Sequence, residues 1–105
     1  MAIGGCSNEV PYDQVVLRNG IFYEVNSQTP FTGSSVEYHE NGQLSARRLY
    51  KDGKREGLAE LYYENGQLWV RENYKDGKLD GLHETYYENG QLRYKRNYKD
   101  GKRID

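Results

Sequence analysis

Residues 57–80 read GLAELYYENGQLWVRENYKDGKLD, and residues 81–104 read GLHETYYENGQLRYKRNYKDGKRI. The two stretches share 16 of 24 positions, and residues 33–56 share 13 of 24 with residues 57–80. Chance would give one or two, so the chain is an array with a 24-residue period. Glu-Asn-Gly-Gln-Leu stands at 40–44, 64–68 and 88–92, and Tyr-Lys-Asp-Gly-Lys at 50–54, 74–78 and 98–102. Asn-Gly or Asp-Gly therefore recurs at alternating intervals of 11 and 13 residues, starting from Asn41-Gly42, with one earlier pair at Asn19-Gly20. Such pairs supply the positive φ values that tight hairpin turns require. Helices of ordinary length would be broken by the glycines. The expected fold is all-β: an elongated, single-layer antiparallel meander of 24-residue β-hairpin repeats.

If Asn65-Gly66 forms a two-residue loop, Tyr63 faces Leu68, Tyr62 faces Trp69, Leu61 faces Val70 and Glu60 faces Arg71. Further along, Gly57 faces Tyr74, and in the next repeat Glu84 faces Lys95 and Gly81 faces Tyr98. Opposite charges then lie opposite each other twice, which favours this register. Each repeat glycine lands opposite a repeat tyrosine whose ring can cover it. One face then carries Leu44, Leu68, Leu92, Tyr50, Tyr74, Tyr98, Ala46, Val70 and Tyr94, and is expected to be the better packed. The other carries Tyr38, Tyr62, Tyr86, Trp69, Leu58 and Leu82 among Arg47, Arg71, Arg93, Lys95, Glu60 and Glu84. A three-residue loop with a bulge would flip these faces.

The chain has 105 residues, 35% of them hydrophobic and 30% charged, and 11 of its 14 aromatic residues are tyrosine. That makes one small domain with a thin core in which tyrosine supplies much of the apolar burial. A deep catalytic cavity does not fit this composition. Net charge is −1, which disfavours a dedicated duplex DNA binder. No stretch approaches the roughly 20 apolar residues of a membrane helix. The single cysteine, Cys6, forms no intramolecular disulfide, and with only His39 and His83 beside it no zinc site is expected.

Residues 15–32 read as a divergent opening half-repeat, followed by repeats over 33–56, 57–80 and 81–105; residues 1–14 read as a flexible tail. Strand 91–99 is expected to be an edge, with Arg93, Lys95, Arg96 and Lys99 discouraging edge-to-edge pairing.

The Tyr62–Leu68 segment, the Tyr74–Lys78 segment, Gly81 and their 24-residue equivalents resemble the MORN-repeat variant family, in particular its bacterial branch that includes the YwqK-type antitoxins. The resemblance covers about residues 15–102. It implies an array of β-hairpins used for binding and assembly rather than catalysis, with no cofactor.

Candidate sites follow. Tyr38, Tyr62, Trp69, Tyr86, Arg47, Arg71, Arg93 and Lys95 form the residue set of a protein interface, where Tyr, Trp and Arg are enriched. The same set read structurally is a ladder of cross-strand pairs. Stacking of single-stranded nucleic acid and binding of lipid headgroups are disfavoured by the interleaved carboxylates. Ile3-Gly4-Gly5-Cys6 resembles the end of a lipobox, so Cys6 is a lipidation candidate, although no basic start and no apolar segment precede it. Two roles follow: a cytoplasmic antitoxin masking a toxin, or the soluble part of an envelope lipoprotein that binds an envelope protein and meets the membrane only through a lipid on Cys6. Small arrays without polar caps associate, so a homodimer or partner-bound form is expected.

Overall fold

A computed structural model describes residues 8–105, and Cys6 with the lipobox-like segment lies outside the described residues. The strands are β1 (Glu9–Pro11), β2 (Val15–Arg18), β3 (Ile21–Glu24), β4 (Gly33–Tyr38), β5 (Leu44–Lys51), β6 (Lys54–Arg55), β7 (Gly57–Tyr62), β8 (Leu68–Lys75), β9 (Lys78–Tyr86), β10 (Leu92–Lys99) and β11 (Lys102–Arg103). A continuous sheet runs β1-β4-β5-β7-β8-β9-β10-β11, with β6 paired to β5, and β2-β3 form a separate hairpin. All pairings are antiparallel except β1 with β4, which is parallel. The all-β repeat array is therefore observed. Residues 9–14, read from the sequence as tail, are instead ordered: β1 pairs with the β4 edge and Tyr12–Gln14 form a 3-10 turn.

The two dipeptide turns differ. At Asp52-Gly53, Asp76-Gly77 and Asp100-Gly101 both residues have positive φ, as a type I′ two-residue loop demands. At Asn65-Gly66 only the glycine does. There the Gly66 amide donates to the Tyr63 carbonyl at 2.9 Å and the Tyr63 amide to the Gln67 carbonyl at 2.9 Å, which makes a three-residue loop over 64–66. The same bonds recur at His39–Gln43 and Tyr87–Gln91. The two-residue reading of these turns is thus corrected. A second irregularity compensates: Tyr62 pairs with Leu68 but Leu61 with Val70, so Trp69 is the extra residue of a bulge. Ser45 and Arg93 are its equivalents. Loop and bulge offset one another, so Leu61–Val70, Glu60–Arg71 and Gly57–Tyr74 keep the expected register.

The exchange moves residues between faces. Leu44, Leu68 and Leu92 now pair with Tyr38, Tyr62 and Tyr86, on the face opposite to Tyr50, Tyr74 and Tyr98. The better-packed face keeps Ser35, Ala46, Tyr50, Ala59, Val70 and Thr85, all buried. Its first end is covered by the β2-β3 hairpin. Phe22 and Phe31 pack on Tyr50 with ring centroids 5.1 and 5.3 Å apart. The Phe22 amide donates to the Gly53 carbonyl, the Gly53 amide to the Phe31 carbonyl, and the Phe31 amide to the Phe22 carbonyl. This docked hairpin gives the array the end cap that a stack of repeats needs.

Gly57 pairs with Tyr74 as expected, but its requirement for glycine has another cause. Its φ is +94°, and a Cβ there would meet Leu49 Cδ1 at 3.3 Å. The Tyr74 ring is covered instead by the Arg55 guanidinium, 4.2 Å from its centroid. Adjacent repeats are tied along the loops as well. Asn41 Nδ2 donates to the Glu64 carbonyl at 2.8 Å and Asn65 Nδ2 to the Glu88 carbonyl at 3.0 Å.

Candidate functional site

Alternation along the strands gives the second face three rows. Across β5, β7, β8, β9 and β10 the middle row is Arg47, Glu60, Arg71, Glu84 and Lys95, each paired in register with the next. Every cation in it lies beside a carboxylate. Arg47 reaches Glu9 at 3.1 Å, and Arg71 lies 3.9 Å from Glu60 and 4.0 Å from Glu84. Such a row has no net basic field for a phosphate backbone to feel.

Beside it runs the row Tyr38, Leu44, Tyr62, Leu68, Tyr86 and Leu92. Tyr38 is 61% exposed and Leu92 49%, while the four between them are half-buried. Burial, then the charge of Glu60, holds the Tyr62 phenol above its ordinary value of 10.0, against the pull of Arg71 and Arg47. Burial and Glu84 act on Tyr86 in the same direction. The Tyr62 and Tyr86 phenols therefore stay neutral and can donate hydrogen bonds at neutral pH.

Of the eight interface candidates, the structure brings Tyr38, Tyr62, Tyr86, Arg47, Arg71 and Lys95 together on this face. Trp69 and Arg93 leave it, because both are bulge residues. The Trp69 ring tilts against Tyr63, centroids 5.6 Å apart, and Tyr63 donates from its hydroxyl to the Tyr86 carbonyl at 2.8 Å. The Arg93 guanidinium lies 5.5 Å from the Tyr94 ring, and that of Arg96 lies 3.8 Å from the same ring.

A polar cluster that the sequence reading missed sits on the packed face. His83 Nε2 lies 3.1 Å from Glu72 Oε2, and the Tyr74 hydroxyl donates to Glu72 Oε1 at 3.2 Å. Tyr94 and Tyr98 flank the imidazole, each 5.7 Å between centroids. Burial first, then Glu72, raises the Tyr74 phenol above 10.0, with Arg55 opposing. The signal was present: His83 replaces Ala59 in the repeat alignment and Glu72 stands where Arg48 and Arg96 stand. Only strand pairing joins the two replacements. Among the described residues no serine, threonine or cysteine side chain is bonded to the pair. Among the same residues no three His, Cys, Asp or Glu side chains gather as metal ligands.

No curated protein and no solved structure matches the chain. The profile of the MORN repeat variant matches three times, over residues 31–52, 55–76 and 79–100. Each match begins at the residue whose carbonyl accepts from the glycine amide of the turn at its own end: Phe31 from Gly53, Arg55 from Gly77 and Leu79 from Gly101. With most of the sequence covered, the chain belongs to the MORN repeat variant family.

Proposed function

We propose that the protein is a non-catalytic module that binds another protein through the face bearing Tyr38, Tyr62 and Tyr86. The observation that carries this reading is the Tyr–Leu row, exposed at Tyr38 and Leu92 and half-buried between them, beside charges that lie against carboxylates. An apolar row with a polar border is the composition of a protein interface. Single-stranded nucleic acid or anionic lipid would need cations without competing carboxylates. In the setting implied by the sequence resemblance, the bound protein is a toxin that this face masks. The second setting is an envelope scaffold tethered at Cys6, carried by Ile3-Gly4-Gly5-Cys6. The intact mass of the native gene product separates them, since a lipid-sized increase at Cys6 belongs only to the second.

The binding face is tested by placing a photo-crosslinking residue at Tyr38, Leu92 or, as a control, Glu64 on a loop. Discrete protein adducts from 38 and 92 and none from 64 are expected. Adducts only to nucleic acid or lipid, or equal adducts from all three positions, would overturn the reading. Trp69→Ala is expected to leave these adducts unchanged, because Trp69 has left the face.

A further inference from the structure

We infer that the open face is closed by a second copy of this chain, related by a twofold axis that runs parallel to the strands between β7 and β8. The inference rests on the protein-binding reading and names its partner. It follows from the order of charges across the sheet.

Of the eight strands in the sheet path, β4, β5, β7, β8, β9 and β10 carry the two rows in that order, with β1 outside β4 and β11 outside β10. In the middle row β4 supplies Val36, which pairs with Arg47. Over it the Glu9 carboxylate reaches in from β1 to Arg47 at 3.1 Å. The charges across the face therefore read minus, plus, minus, plus, minus, plus, ending on Lys95. A twofold axis along the strands keeps each row at its height and reverses its order. Six alternating charges with unlike ends match their own reverse at every position. Glu60 comes to face the partner's Arg71, Arg47 the partner's Glu84, and the Glu9 carboxylate the partner's Lys95.

The apolar row obeys the same rule. Its order is Tyr38, Leu44, Tyr62, Leu68, Tyr86, Leu92, so reversal sets every tyrosine against a leucine. Tyr38 faces the partner's Leu92, and these two are the most exposed members of the row. A ring against a branched aliphatic chain interdigitates better than ring on ring.

Three further observations fix the geometry. An axis across the strands through the middle row would set each of its charges on the same charge of the partner, and an axis displaced from that row would leave them unpaired. A slip by one strand would set like charge on like, a costly arrangement. Arg71, the guanidinium beside the axis, is 3.9 and 4.0 Å from its own carboxylates and donates no hydrogen bond to either among the described residues. Its donors remain free for the partner.

Six strands about 4.8 Å apart and six residues of about 3.3 Å give a footprint of roughly 500 Å² per copy. The total of about 1,000 Å² stands at the lower threshold for a biological interface, the size of a weak, reversible dimer.

The test uses the full chain in sedimentation equilibrium. Wild type is expected to dimerise. Arg71→Glu sets the new carboxylate against the partner's Glu60 twice, and Glu60→Arg sets the new guanidinium against the partner's Arg71 twice. Each alone is expected to weaken association by about tenfold or more. An equimolar mixture of the two restores every opposite pair between the copies of a heterodimer, and association is expected to return. Circular dichroism checks the fold of both variants. Should either fail to fold, Tyr38→Arg, at a 61% exposed site, is the second variant and is expected to weaken dimerisation alone. A dimer insensitive to these changes, or a mixture no stronger than its components, overturns the inference. A wild-type monomer at all concentrations also overturns it but leaves the protein-binding reading standing, since that reading falls only with the crosslinks.

Discussion

Among the described residues Ser35 is the one fully buried side chain, at 0% exposure, and its hydroxyl lies 3.0 Å from that of Tyr50, which is 4% exposed. The pair sits where the β2-β3 hairpin meets the first repeat, so it reports on the cap that closes one end of the array. Tyr50→Phe removes the phenol oxygen and keeps the ring against Phe22 and Phe31. The Ser35 hydroxyl is then buried without its partner, at a cost of about 1–3 kcal/mol. Ser35→Ala strands the Tyr50 hydroxyl in the same way. The double variant contains neither polar group, so its loss is expected to be smaller than the sum by about 1–2 kcal/mol. For a domain of this size each 1 kcal/mol corresponds to a fall in Tm of about 4–8 °C. Tyr50→Phe alone should then melt roughly 4–24 °C below wild type. The assay is urea unfolding of all four chains, followed by far-ultraviolet circular dichroism and by the fluorescence of Trp69. Additive losses, within about 0.5 kcal/mol, would refute the reasoning, because they would mean that the two hydroxyls do not depend on each other.

Two further outcomes are expected. The raised pKa of Tyr74 means that the folded chain holds this proton more tightly than the unfolded chain, whose value is 10.0. Its contribution is present below pH 10 and is lost as pH rises through the folded value, so Tyr74→Phe should unfold less steeply in alkali than wild type; equal alkaline slopes would contradict this. Asn65 caps its own loop through Oδ1 on the Gln67 amide and also bridges to Glu88, whereas Asn89 Oδ1 caps Gln91 in the same way and makes no such bridge among the described residues. Asn65→Ala should therefore cost about 0.5–1.5 kcal/mol more than Asn89→Ala in urea unfolding, and equal costs would show that the bridge contributes nothing.

Much of the interface row was legible in the residues. The charge pairs Glu60–Arg71 and Glu84–Lys95, and the glycine–tyrosine pairs, follow from a 24-residue period and from period-two alternation. Trp69 was misplaced because its neighbours carry the same pattern as a regular strand. A bulge leaves no mark in the sequence when a loop one residue longer cancels its effect on register. The β1 strand was missed because Glu-Val-Pro has no repeat equivalent and gains its hydrogen bonds only from an edge that β4 provides. His83 and Glu72 stand 11 residues apart, and only the pairing of β8 with β9 sets one against the other.

The sequence by itself determined that the chain is a stack of hairpins, where each turn falls, and which strands are neighbours. Those features depend on local backbone preference and on a period, and both are written in the residues. Only the folded chain shows that Asn-Gly and Asp-Gly, equivalent as dipeptides, form different turns. Asn41 and Asn65 donate to carbonyls of the following repeat, while the amides of Asp52, Asp76 and Asp100 donate to side-chain oxygens of Thr32, Glu56 and Asp80. Those bonds exist only once the repeats are stacked. The Asn89 loop has the same form without such a bridge, so these bonds tie each loop to its neighbour, while loop and bulge together decide which face carries Leu44, Leu68 and Leu92.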